Sequence, residues 1–214
     1  MLIQWYGQAC FRIQSGDLVI AVDPFAKEIG LTPPRFRANL TLITHSHQDH
    51  ANFEAIGGEP FLIKSPGEYE IQGIYINGIE TFHDTSQGKE RGVNTMYKIE
   101  AEDIKLLHMG DFGEGIVRDD TLDQIGDVDV LMIPVGGTYT IDATSAAKVI
   151  KQIEPRFVIP MHYKIPGLKV PLDDVQKFLK EMGIKDAETQ EKFTLKKKDI
   201  GEDEKTEVIV LTPA

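Results

Sequence analysis

Residues 44–50, THSHQDH, constrain the fold more than any other part of the chain, because they gather three of its six histidines and an aspartate into seven positions. On a helix, at about 100° per residue, His45 and Asp49 would share one face while His47 and His50 pointed away, so a helix would split the set. A loop can bring all four together. The preceding NLTLIT is strand-like and the following ANFEAIGG could begin a helix, which places the cluster at the carboxyl end of a strand. In α/β folds that edge is where ligand sites collect. Imidazoles suit zinc, iron and other borderline metals, and a carboxylate adds harder, charged donors. Four such groups exceed what one open tetrahedral catalytic site takes and suit two adjacent ions.

The rest of the chain divides by pattern. MLIQWYG, DLVIAVD, LTLIT, PFLIK and GIYINGIETF read as short strands bounded by Gly, Pro and Asp, and VNTMYKIE and IKLLHMGD read as an antiparallel pair turning at Glu102 and Asp103. Strand and helix then alternate. VDVLMIPV is a buried strand by its continuous apolar run, followed by a helix in DATSAAKVIKQIE that is capped by Asp142 and has Ala143, Ala147, Val149, Ile150 and Ile153 on its apolar face. The strand RFVIPM precedes a helix in PLDDVQKFLKEMG, begun by Pro171 and stopped near Gly183. Strands around EKFTLKK and TEVIVLT follow, and Lys196 to Lys198 with Asp199, Glu202, Asp203 and Glu204 read as a charged hairpin tip. No repeat or low-complexity linker cuts the chain, so residues 1–214 are expected to form one α/β domain, with sheets covered by helices.

With 41% hydrophobic and 27% charged residues the chain can build an ordinary globular core. A formal net charge of −11 works against non-specific binding to nucleic acid or an anionic membrane. No apolar run approaches the ~20 residues of a membrane span and no signal peptide is evident, so the expected location is the cytoplasm. The single Cys10 fits a reducing compartment and reads as a small buried strand residue.

THSHQDH matches the HxHxDH signature of the metallo-β-lactamase superfamily, and the chain resembles that family from YGQACF to MHYK. It is most similar to small single-domain hydrolases with a GHSCF-like opening and to sugar-lactone hydrolases, although Gln8 stands where that opening often has histidine. The resemblance implies a four-layer αββα sandwich, two mixed sheets flanked by helices. It further implies two divalent ions, zinc first, with manganese or iron as alternatives. His45, His47 and His83 would hold one ion and Asp49, His50 and His162 the other, with Asp111 bridging both. Asp23, in AVDPF, would brace the histidine loop. His108 lies three residues before Asp111 on a strand, so it is expected to face away and to support or pack rather than to ligate.

Two adjacent ions lower the pKa of a shared water from ~15.7 toward neutrality and supply hydroxide at pH 7, with Asp49 as the catalytic carboxylate that aims it. No GxSxG nucleophile elbow appears, and GGTYT lacks the lysine of a phosphate-binding loop. The expected activity is hydrolysis of a small ester, lactone, thioester or phosphodiester. The alternatives are an iron-dependent oxygenase or redox protein on the same ligands, or a non-catalytic metal-binding protein. A small-molecule substrate is the expected partner, and a homo-oligomer is compatible with the sequence. Glu68 and Tyr69 in SPGEYE, Lys89 and Arg91 in a mobile polar loop, Thr138 and Tyr139 in PVGGTYT, and Tyr163 as an oxyanion donor are the candidate substrate-positioning groups.

Overall fold

The apolar runs pair into two mixed sheets in the computed structural model, which describes residues 1–201 and 205–214. In chain order the first strands are β1 (Leu2–Gly7), β2 (Cys10–Ser15), β3 (Leu18–Val22), β4 (Leu40–Leu42) and β5 (Phe61–Ile63). They are followed by β6 (Gly67–Ile71), β7 (Ile74–Phe82), β8 (Val93–Ala101) and β9 (Ile104–His108). Helices then alternate with strands: α1 (Asp119–Ile125), β10 (Val130–Pro134), α2 (Ala143–Ile153), β11 (Phe157–Met161) and α3 (Val175–Glu181). Four two-residue strands close the chain: β12 (Thr189–Gln190), β13 (Phe193–Thr194), β14 (Glu207–Val208) and β15 (Val210–Leu211). The first sheet has the order β13-β1-β2-β3-β4-β5 and the second β14-β11-β10-β9-β8-β7-β6, with β12 and β15 as a separate parallel pair.

Strand direction decides where a site can form. β1 and β3 run the same way because β2 is antiparallel to both, and β3, β4 and β5 are parallel. In the second sheet β7 and β9 run the same way around antiparallel β8, and β9, β10 and β11 are parallel. The carboxyl ends of β3, β4, β7, β9 and β11 therefore collect along one edge of the sandwich.

The side-chain period of two sorts each strand of the first sheet between an inner and an outer layer. Trp5, Phe11, Ile20 and Val22 join the main core with residues of the second sheet such as Ile76, Ile99, Leu106 and Val130. Their neighbours turn outward, Cys10 packing with Phe25 and Ile29, and Ala21 with Ala38 and Ile56. Helical cover is uneven. Ala146, Val149 and Ile150 of α2 and Phe178 and Leu179 of α3 pack into the main core, whereas residues 27–29 and 53–55 add only single 3₁₀ turns beside the first sheet.

Several local expectations meet a different outcome. ANFEAIGG forms one 3₁₀ turn, Phe53–Ala55, not a helix. The last helix begins at Val175 rather than at Pro171, because the Asp174 side chain accepts the Gln176 N–H and caps it, leaving Pro171 in extended chain. SPGEYE is largely strand β6. The helix capped by Asp142 and the turn at Glu102 and Asp103, both with positive φ, form where expected. Of the anticipated charged hairpin tip, Lys197–Asp199 is a 3₁₀ turn, while Glu202, Asp203 and Glu204 lie outside the described residues. No helix among the described residues is long and apolar enough to cross a membrane.

The sheets are tied together beside the histidine loop. Buried Tyr97 of β8 donates its hydroxyl to the Ile43 carbonyl at 2.9 Å, and Thr95 N–H donates to the Thr44 carbonyl at 2.9 Å. Burial raises the Tyr97 pKa far above its ordinary value, so the hydroxyl stays a donor at any physiological pH. Tyr97→Phe leaves that carbonyl short of a partner and is expected to cost about 1–3 kcal/mol, read as a lower urea midpoint at unchanged slope.

Candidate metal centre

Asp23, one residue beyond β3, organises the loop. Its Oδ1 accepts the Thr44 N–H at 2.8 Å, and its Oδ2 accepts the Thr44 hydroxyl at 2.7 Å and His50 Nδ1–H at 2.8 Å. Thr44 Oγ1 in turn accepts His45 Nδ1–H at 2.9 Å. With their Nδ1 atoms committed as donors, His45 and His50 present Nε2 lone pairs inward. Both Nε2 atoms are buried and without a hydrogen-bond partner. Apolar shape does not explain such atoms, whereas a cation does.

Asp111 supplies the centre. It lies beyond β9, with Oδ1 3.3 Å from His50 Nε2 and Oδ2 3.2 Å from His83 Nε2, 3.4 Å from His162 Nε2 and 4.0 Å from His45 Nε2. Asn94 of β8 aims it, accepting the Asp111 N–H on Oδ1 at 2.9 Å while its amide donates to Thr81 Oγ1 and the Met109 carbonyl. Gly110, at φ +56°, lets the turn pass close to Thr44, whose Cβ would lie 2.8 Å from any added side chain.

Two sets of three groups have ligand atoms mutually within 4.8 Å: His45, His47 and His83, and Asp49, His50 and His162. These are the two triads anticipated from the sequence. A third set, Asp23 with His45 and His50, meets the same distance criterion, but the Asp23 oxygens are already taken by protein donors. Neutral imidazoles and ionised carboxylates are what a divalent ion requires, and both oxygen and nitrogen donors here remain unpartnered, so the residues fit such a group.

The electrostatics differ among the donors, His45 and His47 being held neutral while His50, flanked by two carboxylates, binds a proton that a metal ion would have to displace. Burial, with repulsion from His50, pushes the His45 pKa down to about 3, which keeps the ring neutral at physiological pH. His47 is lowered for the same reasons, burial first and His83 next. Burial opposes charge on His50, but Asp111 and Asp23 outweigh it and raise its pKa well above the ordinary value. Burial likewise opposes ionisation of Asp111 and Asp49. His162 and His50 nevertheless hold Asp111 well below the usual range, and His50, with Nε2 3.5 Å from Asp49 Oδ2, holds Asp49 low.

His108 has backbone partners on both ring nitrogens. Fully buried, it donates Nε2–H to the Ala9 carbonyl at 2.9 Å and accepts the Gly110 N–H on Nδ1 at 3.1 Å, gripping the turn that carries Asp111.

Above the two sets opens a cleft of about 520 Å³, lined among others by His47, Asp49, His83, Asp111, His162, Arg91, Tyr139, Lys169 and Glu28. The candidate positioning groups sort themselves against it. Arg91 and Tyr139 line it, with the guanidinium 5.6 Å from the ring centroid. Five candidates do not. Lys89 is absent from the lining. Tyr163 is buried, its ring tilted against Trp5 with centroids 4.9 Å apart, and donates its hydroxyl to the Leu211 carbonyl at 3.3 Å, so it is turned into the core and away from the cleft. Glu68 and Tyr69 lie in edge strand β6, beside a separate depression with Tyr75 and Lys98. Thr138 is exposed and outside the cleft lining.

The loop after His83 is stapled rather than loose. Asp84, 4% exposed, accepts the N–H groups of Ser86, Gly88, Glu90 and Arg91 at 2.7–3.0 Å. Burial raises its pKa, but those four bonds outweigh it and lower the value overall. Reading from sequence also passed over Asn94 and Lys169 and left Gln8 in doubt, yet Gln8 Nε2 lies 3.0 Å from Asp49 Oδ2 and 2.8 Å from His162 Nε2. For Asn94 the available signal was a polar amide in an otherwise apolar strand.

A two-sheet sandwich with histidines and aspartates converging at its strand ends defines a metal-binding hydrolase-type fold. A model of the beta-lactamase superfamily domain matches residues 2–162, and the chain belongs to the metallo-β-lactamase superfamily. A metal-dependent hydrolase of Thermococcus onnurineus is 30% identical over 190 residues, covering 75% of this chain and 84% of that protein. One of Thermoplasma acidophilum is 30% identical over 189 residues, covering 75% and 82%. Among solved structures, a Thermotoga maritima protein described as a candidate zinc-dependent hydrolase of the superfamily is 32% identical, with a TM-score of 0.80 and 99% of each chain covered.

Asp23→Asn leaves one acceptor oxygen where three donor contacts converge. It should weaken divalent-metal affinity by roughly 10–100-fold, as loss of a ligand-orienting carboxylate does, measured by chelator competition on protein with an unchanged far-UV spectrum.

Proposed function

We propose that this chain is a dinuclear metal-dependent hydrolase of small esters, lactones, thioesters or phosphodiesters, with His45, His47 and His83 holding one ion, Asp49, His50 and His162 the other, and Asp111 between them. The observation that carries the reading is the meeting of both triads at Asp111 beneath a cleft of about 520 Å³. Bound there, two divalent ions, with zinc the first expectation, would supply a hydroxide at neutral pH and an electrophilic field on the scissile bond.

The residues of the chain do the remainder. Of the three aspartates at the centre, Asp49 alone keeps a solvent-facing side chain, 25% exposed against 0% for Asp23 and 3% for Asp111. It can therefore accept a proton or hydrogen bond from a nucleophile in the cleft while Asp23 and Asp111 remain structural. Arg91 and Lys169 give the cleft two cations in a chain of net charge −11, and Asp84 holds the Arg91 backbone in place. Glu28 faces the same space with opposite charge, which disfavours a polyanion and suits one anionic group near Arg91. A small substrate carrying a carboxylate or phosphate is the class these groups recognise.

The test is a panel of such substrates offered to protein reconstituted with zinc, manganese or iron. Asp49→Asn should lower kcat by about 10²–10⁴-fold on whichever substrate turns over. No turnover across the panel by protein holding two ions would sink the hydrolase reading. For Arg91→Ala, the loss of a charge-assisted contact should raise KM for the anionic member about 10–100-fold relative to a neutral analogue. Equal loss on both would remove the assigned role of Arg91.

A further inference from the structure

The amide of Gln8 occupies a place that its hydrogen bonds do not fully explain. Gln8 follows β1 in the left-handed region, φ +51°, and is 0% exposed. Its backbone is held on both sides, the carbonyl accepting Trp5 Nε1–H at 3.0 Å and His162 N–H at 3.0 Å. The side chain thus enters the centre from a fixed root. Nε2 sits 3.0 Å from Asp49 Oδ2 and 2.8 Å from His162 Nε2, two ligand atoms of the proposed second triad. Oε1 is buried and has no partner.

Amide oxygen and nitrogen are nearly isosteric, and which of them faces a given neighbour follows from the charges around it. Facing a carboxylate and an imidazole lone pair, the NH₂ end is preferred. Facing a cation between those same two atoms, the N–H dipoles are repelled and the oxygen is attracted. Turning the amide by half a rotation exchanges the two ends within the same volume and gives the stranded Oε1 a partner.

We propose that Gln8 is a further ligand of the second ion, presenting Oε1 to the site formed by Asp49, His50 and His162. The inference rests on the dinuclear reading above. It also makes the two sites chemically unequal, since the first is built on three imidazoles and the second would combine two imidazoles with carboxylate and amide oxygens, a harder donor set.

Calorimetric titration of the metal-free full-length protein with Zn²⁺ and with Mn²⁺ tests both levels. Two binding steps in the wild type support the dinuclear reading, and a single step at one ion per chain overturns it together with the inference. Given two steps, Gln8→Leu should weaken one of them by roughly 10–100-fold and leave the other nearly unchanged. Gln8→Glu separates ligation from mere positioning, because a carboxylate can ligate a cation but cannot donate to Asp49. Retained or tightened binding in Gln8→Glu supports ligation. If Gln8→Glu is as weak as Gln8→Leu, Gln8 acts only as a hydrogen-bond donor and the proposal fails. It fails equally if Gln8→Leu leaves both steps unchanged while His162→Ala abolishes one.

Discussion

The buried carboxylate of Asp23 is the interaction on which the rest of this centre depends. Wholly out of water, a carboxylate there would be costly without compensation. The compensation is three donors, Thr44 N–H, the Thr44 hydroxyl and His50 Nδ1–H. Each contact fixes something different. The backbone bond sets where the loop leaves β4, the hydroxyl relays orientation to His45, and the bond to His50 selects the tautomer whose Nε2 faces inward. One side chain therefore decides which nitrogen two separate histidines offer.

The sandwich makes that local order useful by bringing strand ends from both sheets to one edge. Asp111 reaches the centre from β9, His83 from β7 and His162 from β11, and each arrives through a tight turn. Gln8, Asp23 and His162 all hold positive φ values of 45–52°, a conformation that costs non-glycine residues on the order of 1 kcal/mol. Gly136 helps by lacking a side chain that would collide with the His162 carbonyl. Such strained positions persist where surrounding contacts over-determine them. Here those contacts include the His162 N–H to the Gln8 carbonyl, which joins two of the strained residues directly.

The same logic extends outward to the cleft. Asp84 directly follows His83, and its four backbone bonds turn a run of polar residues into a defined loop that carries Arg91 to the rim, against Tyr139. A glycine- and charge-rich sequence suggests mobility because most such stretches lack a buried acceptor. This one has it, in a residue whose composition alone does not distinguish it from the other acids.

What the sequence determined by itself was everything whose cause lies within a few residues: the clustered HxHxDH donors, the strand endings before Asp23, His83 and Asp111, the Asp142 cap and the turn at Glu102 and Asp103. Spacing and side-chain chemistry suffice there. Tertiary structure decided which polar groups meet across the chain. Gln8 and His162 are 154 positions apart, Gln8 and Asp49 are 41 apart, and Tyr163, adjacent to a proposed ligand, is turned into the core by Trp5 and Leu211. No local rule encodes such meetings. They follow from the register and twist of two sheets packed face to face, which set the direction of each strand end only after the whole core has formed.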